Sequence, residues 1–201
     1  MTGRGFLLRL RAGQAGNAIT EFGLIAPVFM ALVLGVMDLG HTLYMQSTIQ
    51  GALQKAARDS SLESASNTTT QTSLDTAFST QVKRLAQNAT VTVTRTYFRD
   101  YTKASVSAKE PFTDTNSNGT CNAGEPYEDS NNSGSWDNDN GRTGQGSAKD
   151  TTVVSAAVVY PRMFPFLRIF GLPANVTINA STVLVNQPYG DQAAVTVRNC
   201  T

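Results

Sequence analysis

The densest set of chemistry-bearing residues lies between Lys109 and Arg142, where seven acids occur and no base. From Asp114 the chain reads DTNSNGTCNAGE, with side-chain oxygens from Asp114, Asn116 and Asn118 at alternate positions. Gly119 follows, then the carbonyl of Thr120, then Glu125 at the twelfth position. This is the spacing of a calcium loop. The cation takes six to eight oxygens, the glycine permits the sharp turn, and the final Glu offers both carboxylate oxygens. Fifteen residues on, the pattern partly recurs with Asp129, Asn131, Ser133, Gly134 and Asp137, followed by Asp139. Its twelfth position is Asn140, a weaker ligand. Pro111 and Pro126 disfavour flanking helices, so the expectation is a helix-free calcium loop rather than an EF-hand switch. The alternative is a solvated Asn/Gly/Asp insert without metal. Calcium is the one cofactor the sequence suggests.

The two cysteines, Cys121 and Cys200, form no CxxC pair, which argues against zinc or iron–sulfur chemistry. They are either a disulfide tying the acidic loop to the C-terminus or two separate thiols. The only histidine, His41, has no acid or Cys cluster beside it and reads as a helix-surface residue. No G-x-S-x-G, P-loop or H-E-x-x-H occurs. An enzyme is therefore not expected, nor a small-molecule substrate. A net charge of +1 gives no reason to expect a nucleic-acid partner.

A second pair of unusual residues sits near the N-terminus. Glu21 and Pro27 lie at the edge of and within the uncharged run Phe22–Met37. At about 1.5 Å per residue that run covers roughly 24 Å of a bilayer core of roughly 30 Å, and apolar neighbours on both sides lengthen it. An ionised carboxylate there is costly unless paired. A proline removes one helix hydrogen bond, which membrane helices tolerate. Arg4, Arg9 and Arg11 precede the run and no base follows it closely, which places the N-terminus in the cytoplasm. A removable signal peptide is the competing reading, but the helical pattern continues through Leu43, Ile49, Leu53 and Ala57. Asp38, where the run ends, reads as a solvated interfacial residue or a partner-helix contact.

The string Gly16-Asn17-Ala18-Ile19-Thr20-Glu21-Phe22 resembles the cleavage region of type IV prepilins. The longer AITEFGLIAPVFMALVLGVMDLGHTLY, and VVYPRMFPFLRIFGLPANVTINASTVLVNQPYG towards the other end, resemble the TadE-like pseudopilins of tight-adherence pilus systems. The resemblance does not extend to the acidic middle. It implies cutting by a prepilin peptidase between Gly16 and Asn17, which would make Glu21 the fifth residue of the mature chain. It also implies that Glu21 neutralises the new terminal ammonium of a neighbouring subunit in low dielectric, with Phe22 and Pro27 on the assembling helix. The implied partners are other pilins, the peptidase and the membrane. The implied site is the bacterial cytoplasmic membrane, with the C-terminal domain outside or carried into a pilus. The rival is an uncleaved single-span envelope protein with a calcium-stiffened, surface-binding loop.

These motifs need elements to carry them. The expected organisation is a basic leader at 1–16, a long helix at 17–60 embedded in the membrane to about residue 45, and an extracytoplasmic domain at 61–201. An acidic insert at 110–146 interrupts that domain. Within it, residues 72–88 show an apolar face suited to a helix capped by Thr72 or Ser73. Thr90–Phe98 alternates as a strand, Thr151–Tyr160 and Asn175–Asn186 are two further strands, and a shorter strand is expected at Ala104–Ala108. The fold class is α+β, with an antiparallel sheet against the outer half of the long helix. The apolar stretch Met163–Leu172 is expected to pack into the core. A membrane or partner contact is the alternative.

Overall fold

The computed structural model describes residues 17–62, 67–105, 109–138, 140–192 and 194–201. The leader with Gly16, and Asp139, lie outside the described residues. The order is α1 (Asn17–Ser60), α2 (Thr68–Leu85), β1 (Thr90–Phe98), α3 (Tyr101–Ser105), β2 (Pro126–Asp129), β3 (Arg142–Thr143) and β4 (Thr151–Pro161). A 3₁₀ turn (Pro165–Phe170), β5 (Asn175–Val185) and β6 (Thr196–Asn199) complete it. The class is α+β: a long apolar N-terminal helix with antiparallel sheets.

Contacts divide the chain into two units. One holds the chain up to Tyr44 with Arg162–Ala174; the other holds Met45–Pro161 with Asn175–Thr201. In the larger unit, four strands pair antiparallel in the order β3-β1-β4-β5. The register runs from Thr90 opposite Val159 to Phe98 opposite Thr151, and from Thr151 opposite Val185 to Pro161 opposite Asn175. The period of two sends Val154, Ala156, Val158 and Tyr160 of β4 to one face, with Val176, Ile178 and Ala180 of β5. Against that face lie Met45, Ile49, Leu53 and Ala57, one stripe of α1 at helical spacing, with Phe78 and Val82 of α2. Arg95 of β1 forks onto Asp75 of α2, through Nη1 at 2.8 Å and Nη2 at 2.5 Å.

Several expectations are corrected here. The second helix starts at Thr68, capped by the Asn67 side chain on the Thr70 amide. The expected caps Thr72 and Ser73 instead turn their hydroxyls back onto the carbonyls of Thr68 and Thr70, as helix-interior hydroxyls do. In place of a strand beginning at Ala104, Tyr101–Ser105 is one turn of helix started by the Asp100 carboxylate on the Lys103 amide. Residues 106–108 lie outside the described set.

In the smaller unit α1 passes through Pro27 without a break. It is the one helix, among the described residues, long and apolar enough to cross a membrane. The 162–174 segment joins β4 to β5 and belongs to this unit. It is not core filling as expected. Leu167 is buried, but Met163, Phe170 and Leu172 are exposed and Ile169 is 83% exposed. Leu167 and Phe170 line a shallow apolar cavity of about 490 Å³ with Pro27, Val28, Ala31 and Leu32. Asp38, expected in solvent, is only 4% exposed and forms an ion pair with Arg162. Arg162 Nε also donates to the Pro173 carbonyl at 3.1 Å. An aspartate can leave solvent this way because its charge is matched at contact distance.

Candidate functional site

Two sites emerge, one in each unit. The first is the exposed apolar surface of α1. Phe22, Leu24, Ile25, Val28, Phe29 and Leu32 are all more than half exposed, and Glu21 stands exposed at the N-terminal end of the same stretch. In water this surface would be strongly unfavourable, at about 25 cal/mol for each Å². A helix apolar over most of its circumference belongs in lipid or among other helices. Later in the same helix the pattern narrows to the single buried stripe described above.

The family comparison bears on this segment. The TadE-like protein family model matches residues 16–58. The N-terminal helix is similar to that of TadE-like proteins. The match begins at Gly16 and runs to within two residues of the end of α1, so the likeness to a family of tight-adherence pilus systems rests on this helix. No curated protein and no solved structure matches the chain. The acidic loops therefore rest on their own geometry.

That geometry is a pair of related turns. Glu110-Pro111-Phe112-Thr113-Asp114 is repeated as Glu125-Pro126-Tyr127-Glu128-Asp129, and the fifteen-residue offset continues through Gly119 and Gly134. The two copies meet about a local pseudo-two-fold. Phe112 bridges Tyr127 antiparallel. The Thr113 amide donates to Pro126 O at 2.8 Å, and the Glu128 amide donates to Pro111 O at 2.9 Å. Each turn is folded by the same contacts. Asp114 accepts from the amides of Asn118 (3.2 Å) and Gly119 (2.7 Å). Asp129 accepts from those of Ser133 (2.9 Å) and Gly134 (3.1 Å). Asn116 accepts from Asn118 N, and Asn131 from Ser133 N. Both glycines have positive φ, 74° and 82°, where a Cβ is strained.

Each turn is also closed by the other repeat's glutamate. Glu125 Oε1 accepts from the Thr115 amide at 2.8 Å, and Glu110 Oε1 from the equivalent Ser130 amide at 2.7 Å. Glu125 Oε2 accepts from Asn122 N at 2.9 Å, and the Glu110 carboxyl takes a backbone hydrogen bond from the equivalent Asp137. The electrostatics follow. Hydrogen bonds from Asn122 and Thr115 hold the Glu125 carboxyl below its usual range. Burial pushes the Glu110 carboxyl above it, and the neighbouring charge of Asp137 adds to that rise. Among the described residues no three carboxylate, imidazole or thiolate groups are gathered as a ready metal cluster. Neutral and main-chain oxygens would have to supply much of any coordination sphere.

Position eight of the two turns is taken by Cys121 and Trp136. Cys121 is bridged to Cys200 with a Cα–Cα distance of 5.8 Å, which clamps β6 beside β2, its ladder partner. Trp136 donates Nε1–H to Glu110 O at 2.9 Å, meets Phe112 edge-on and lies under Lys109 Nζ at 5.4 Å. Arg198 of β6 reaches Asp129 Oδ2 at 2.5 Å. The loop spacing did not single out Glu110, because it precedes the loop it closes by nineteen residues. The E-P-aromatic repeat was the signal that could have found it.

Proposed function

We propose that the chain is a minor pilin (pseudopilin) of a tight-adherence type IV pilus system, acting by assembly and binding rather than by catalysis. The observation that carries this reading is the change of surface along α1. Its first half exposes apolar side chains over most of its circumference, and its second half buries one stripe against the sheet. Such a helix suits a subunit anchored in a membrane and able to pass into a bundle of like helices. In either setting lipid or neighbouring helices cover the first half. The exposed Ile169 and Phe170 belong to the same unit and enlarge the surface to be covered. In this reading a prepilin peptidase cuts after Gly16, whose missing side chain allows close backbone approach. Glu21 then neutralises the new ammonium of a neighbouring Asn17. The preceding arginines hold the N-terminus in the cytoplasm, and the C-terminal domain lies outside.

The deciding experiment is intact mass and N-terminal sequence of the full chain expressed with and without its prepilin peptidase. A peptidase-dependent start at Asn17 is expected. A Met1 start with active peptidase present would overturn the proposal and leave an uncleaved single-span envelope protein.

A further inference from the structure

The connection between β4 and β5 closes on itself at its neck, where the Arg162 amide donates to Ala174 O at 2.9 Å. Residues 163–173, between those two, carry one charge, Arg168, and no other polar side chain. Connections that run through water are polar at their tips, and a cluster of exposed apolar groups marks a surface that something covers. Here Ile169 is 83% exposed and Phe170 65%.

The position of this tip along α1 says what covers it. Leu167 and Phe170 share their cavity with Pro27, Val28, Ala31 and Leu32, in the middle of the uncharged run 22–37. Asp38 ends that run and pairs with Arg162 at the neck of the loop. Pro27 stands eleven residues before Asp38, about 16 Å along a helix that rises about 1.5 Å per residue. That is roughly half of a hydrocarbon core of roughly 30 Å. A loop seated on those residues lies within the outer half of any bilayer that α1 spans.

We infer that residues 163–172 form a second membrane element, a loop that enters the outer leaflet beside α1 and sets Ile169 and Phe170 against lipid acyl chains. This rests on the reading of α1 as a membrane span, not on a role in a pilus. Irregular backbone enters lipid only where its polar groups are met and protein backs it. Pro165 and Pro173 have no amide hydrogen to satisfy. The Leu167 amide donates to Phe164 O at 3.2 Å and the Gly171 amide to Arg168 O at 3.0 Å, while Leu167 itself is buried. Charge agrees. Asp38 and Arg162 neutralise each other at the level where the loop enters, and the exposed Arg168 has a long apolar stem that lets its guanidinium reach the phosphate layer. A second copy's helix is the competing occupant. It would cover the tip only after assembly, whereas lipid surrounds the loop as soon as α1 is in the membrane.

The chain's two cysteines are bridged to each other, so one added cysteine takes a single label. Full-length Ile169→Cys, carrying nitrobenzoxadiazole, is placed in phosphatidylcholine nanodiscs with a single chain per disc. Spin labels on the lipid acyl chains should quench its emission, and aqueous iodide should not. Phe170→Cys should behave the same, so a folding failure of one variant leaves the other to decide. Phe29→Cys, in mid-span and 58% exposed, reports on α1 by itself. Lipid quenching at residue 29 with iodide access equal to free dye at both loop positions would overturn the proposal and leave the span standing. So would protection that appears only when several chains share a disc, which would give the tip to a second copy. No lipid quenching at residue 29 would sink the span and the loop together.

Discussion

Removing the Cys121–Cys200 bridge tests how the acidic half of the domain is held. The bridge closes a loop of sequence separation 79. With chain entropy falling as −2.1 − 1.5R ln n, it removes about 15 cal/mol/K from the unfolded chain, or about 4.5 kcal/mol at 25 °C. Native contacts around it survive the substitution. β2 still pairs with β6, Cys200 N still donates to Glu125 O, Gly124 N to Cys200 O, and Arg198 still reaches Asp129. The loss should therefore come almost entirely from the unfolded state. For a domain of this size it should appear as a fall in melting midpoint of about 10–15 °C. The comparison is wild type against Cys121→Ser/Cys200→Ser, both as full chains in micelles with EDTA, melted in guanidinium and by heat. Trp136 emission reports the acidic turns and far-UV dichroism the helices. Hydrogen exchange should quicken first in Pro126–Asp129 and Thr196–Asn199. A double variant within about 1 kcal/mol of wild type would refute the chain-entropy reasoning, since closing a loop of this length should be worth severalfold more. Two titratable thiols in the native protein would remove its premise.

Two further outcomes follow from the same geometry. Asp38→Ala should destabilise the chain by about 3 kcal/mol in denaturant melts, because it leaves the largely buried Arg162 guanidinium without its carboxylate and with only the Pro173 carbonyl. Replacing both partners with apolar residues should recover most of that, and a single variant that melts like wild type would contradict the pairing. Stability against pH should show opposite slopes at the two glutamates in calcium-free buffer. Glu125 has a folded pKa below its unfolded one, so its contribution is present above about pH 4.3 and is lost as pH falls through the lower folded value. Glu110 has a folded pKa above its unfolded one, so its contribution is full below about pH 4.3 and is lost as pH rises through the folded value. Urea midpoints of wild type, Glu110→Gln and Glu125→Gln across pH 3–7 check both signs.

The parts of this fold legible in the sequence are those where one physical requirement dominates a long segment. An uncharged run followed by helical spacing marks α1, and richness in β-branched residues marks β1, β4 and β5 close to their observed ends. Short elements carry no such period. The two residues of β3 and the four each of β2 and β6 are strands because partners pair with them, not through any pattern of their own. Elsewhere one side chain has two competing uses. Asp100 can cap a turn as readily as it can border a strand, and the hydroxyls of Thr72 and Ser73 can bond within a helix as well as start one. Asp38 and Met163–Leu172 depart from expectation for a single reason. Their exposure depends on each other's segment, and residues 124 apart in sequence leave no local trace of having met.

The acidic turns show the same limit in sharper form. Everything local to them was readable: the oxygen spacing, the glycines, and the prolines that forbid flanking helices. The spacing also made the first turn the better metal site, because Glu125 stands at its twelfth position while the second turn has only Asn140 there. In three dimensions the closing glutamates cross between the repeats. Glu125, which opens the second repeat, meets amide and hydroxyl donors of the first turn, and Glu110, which opens the first, meets the Ser130 and Asn131 amides of the second. A loop motif read along one chain segment assumes that the segment supplies all its own ligands. When a motif is duplicated and the copies pair, each closing residue is free to serve its neighbour. The residue that closes the turn then lies outside the window in which the motif was recognised.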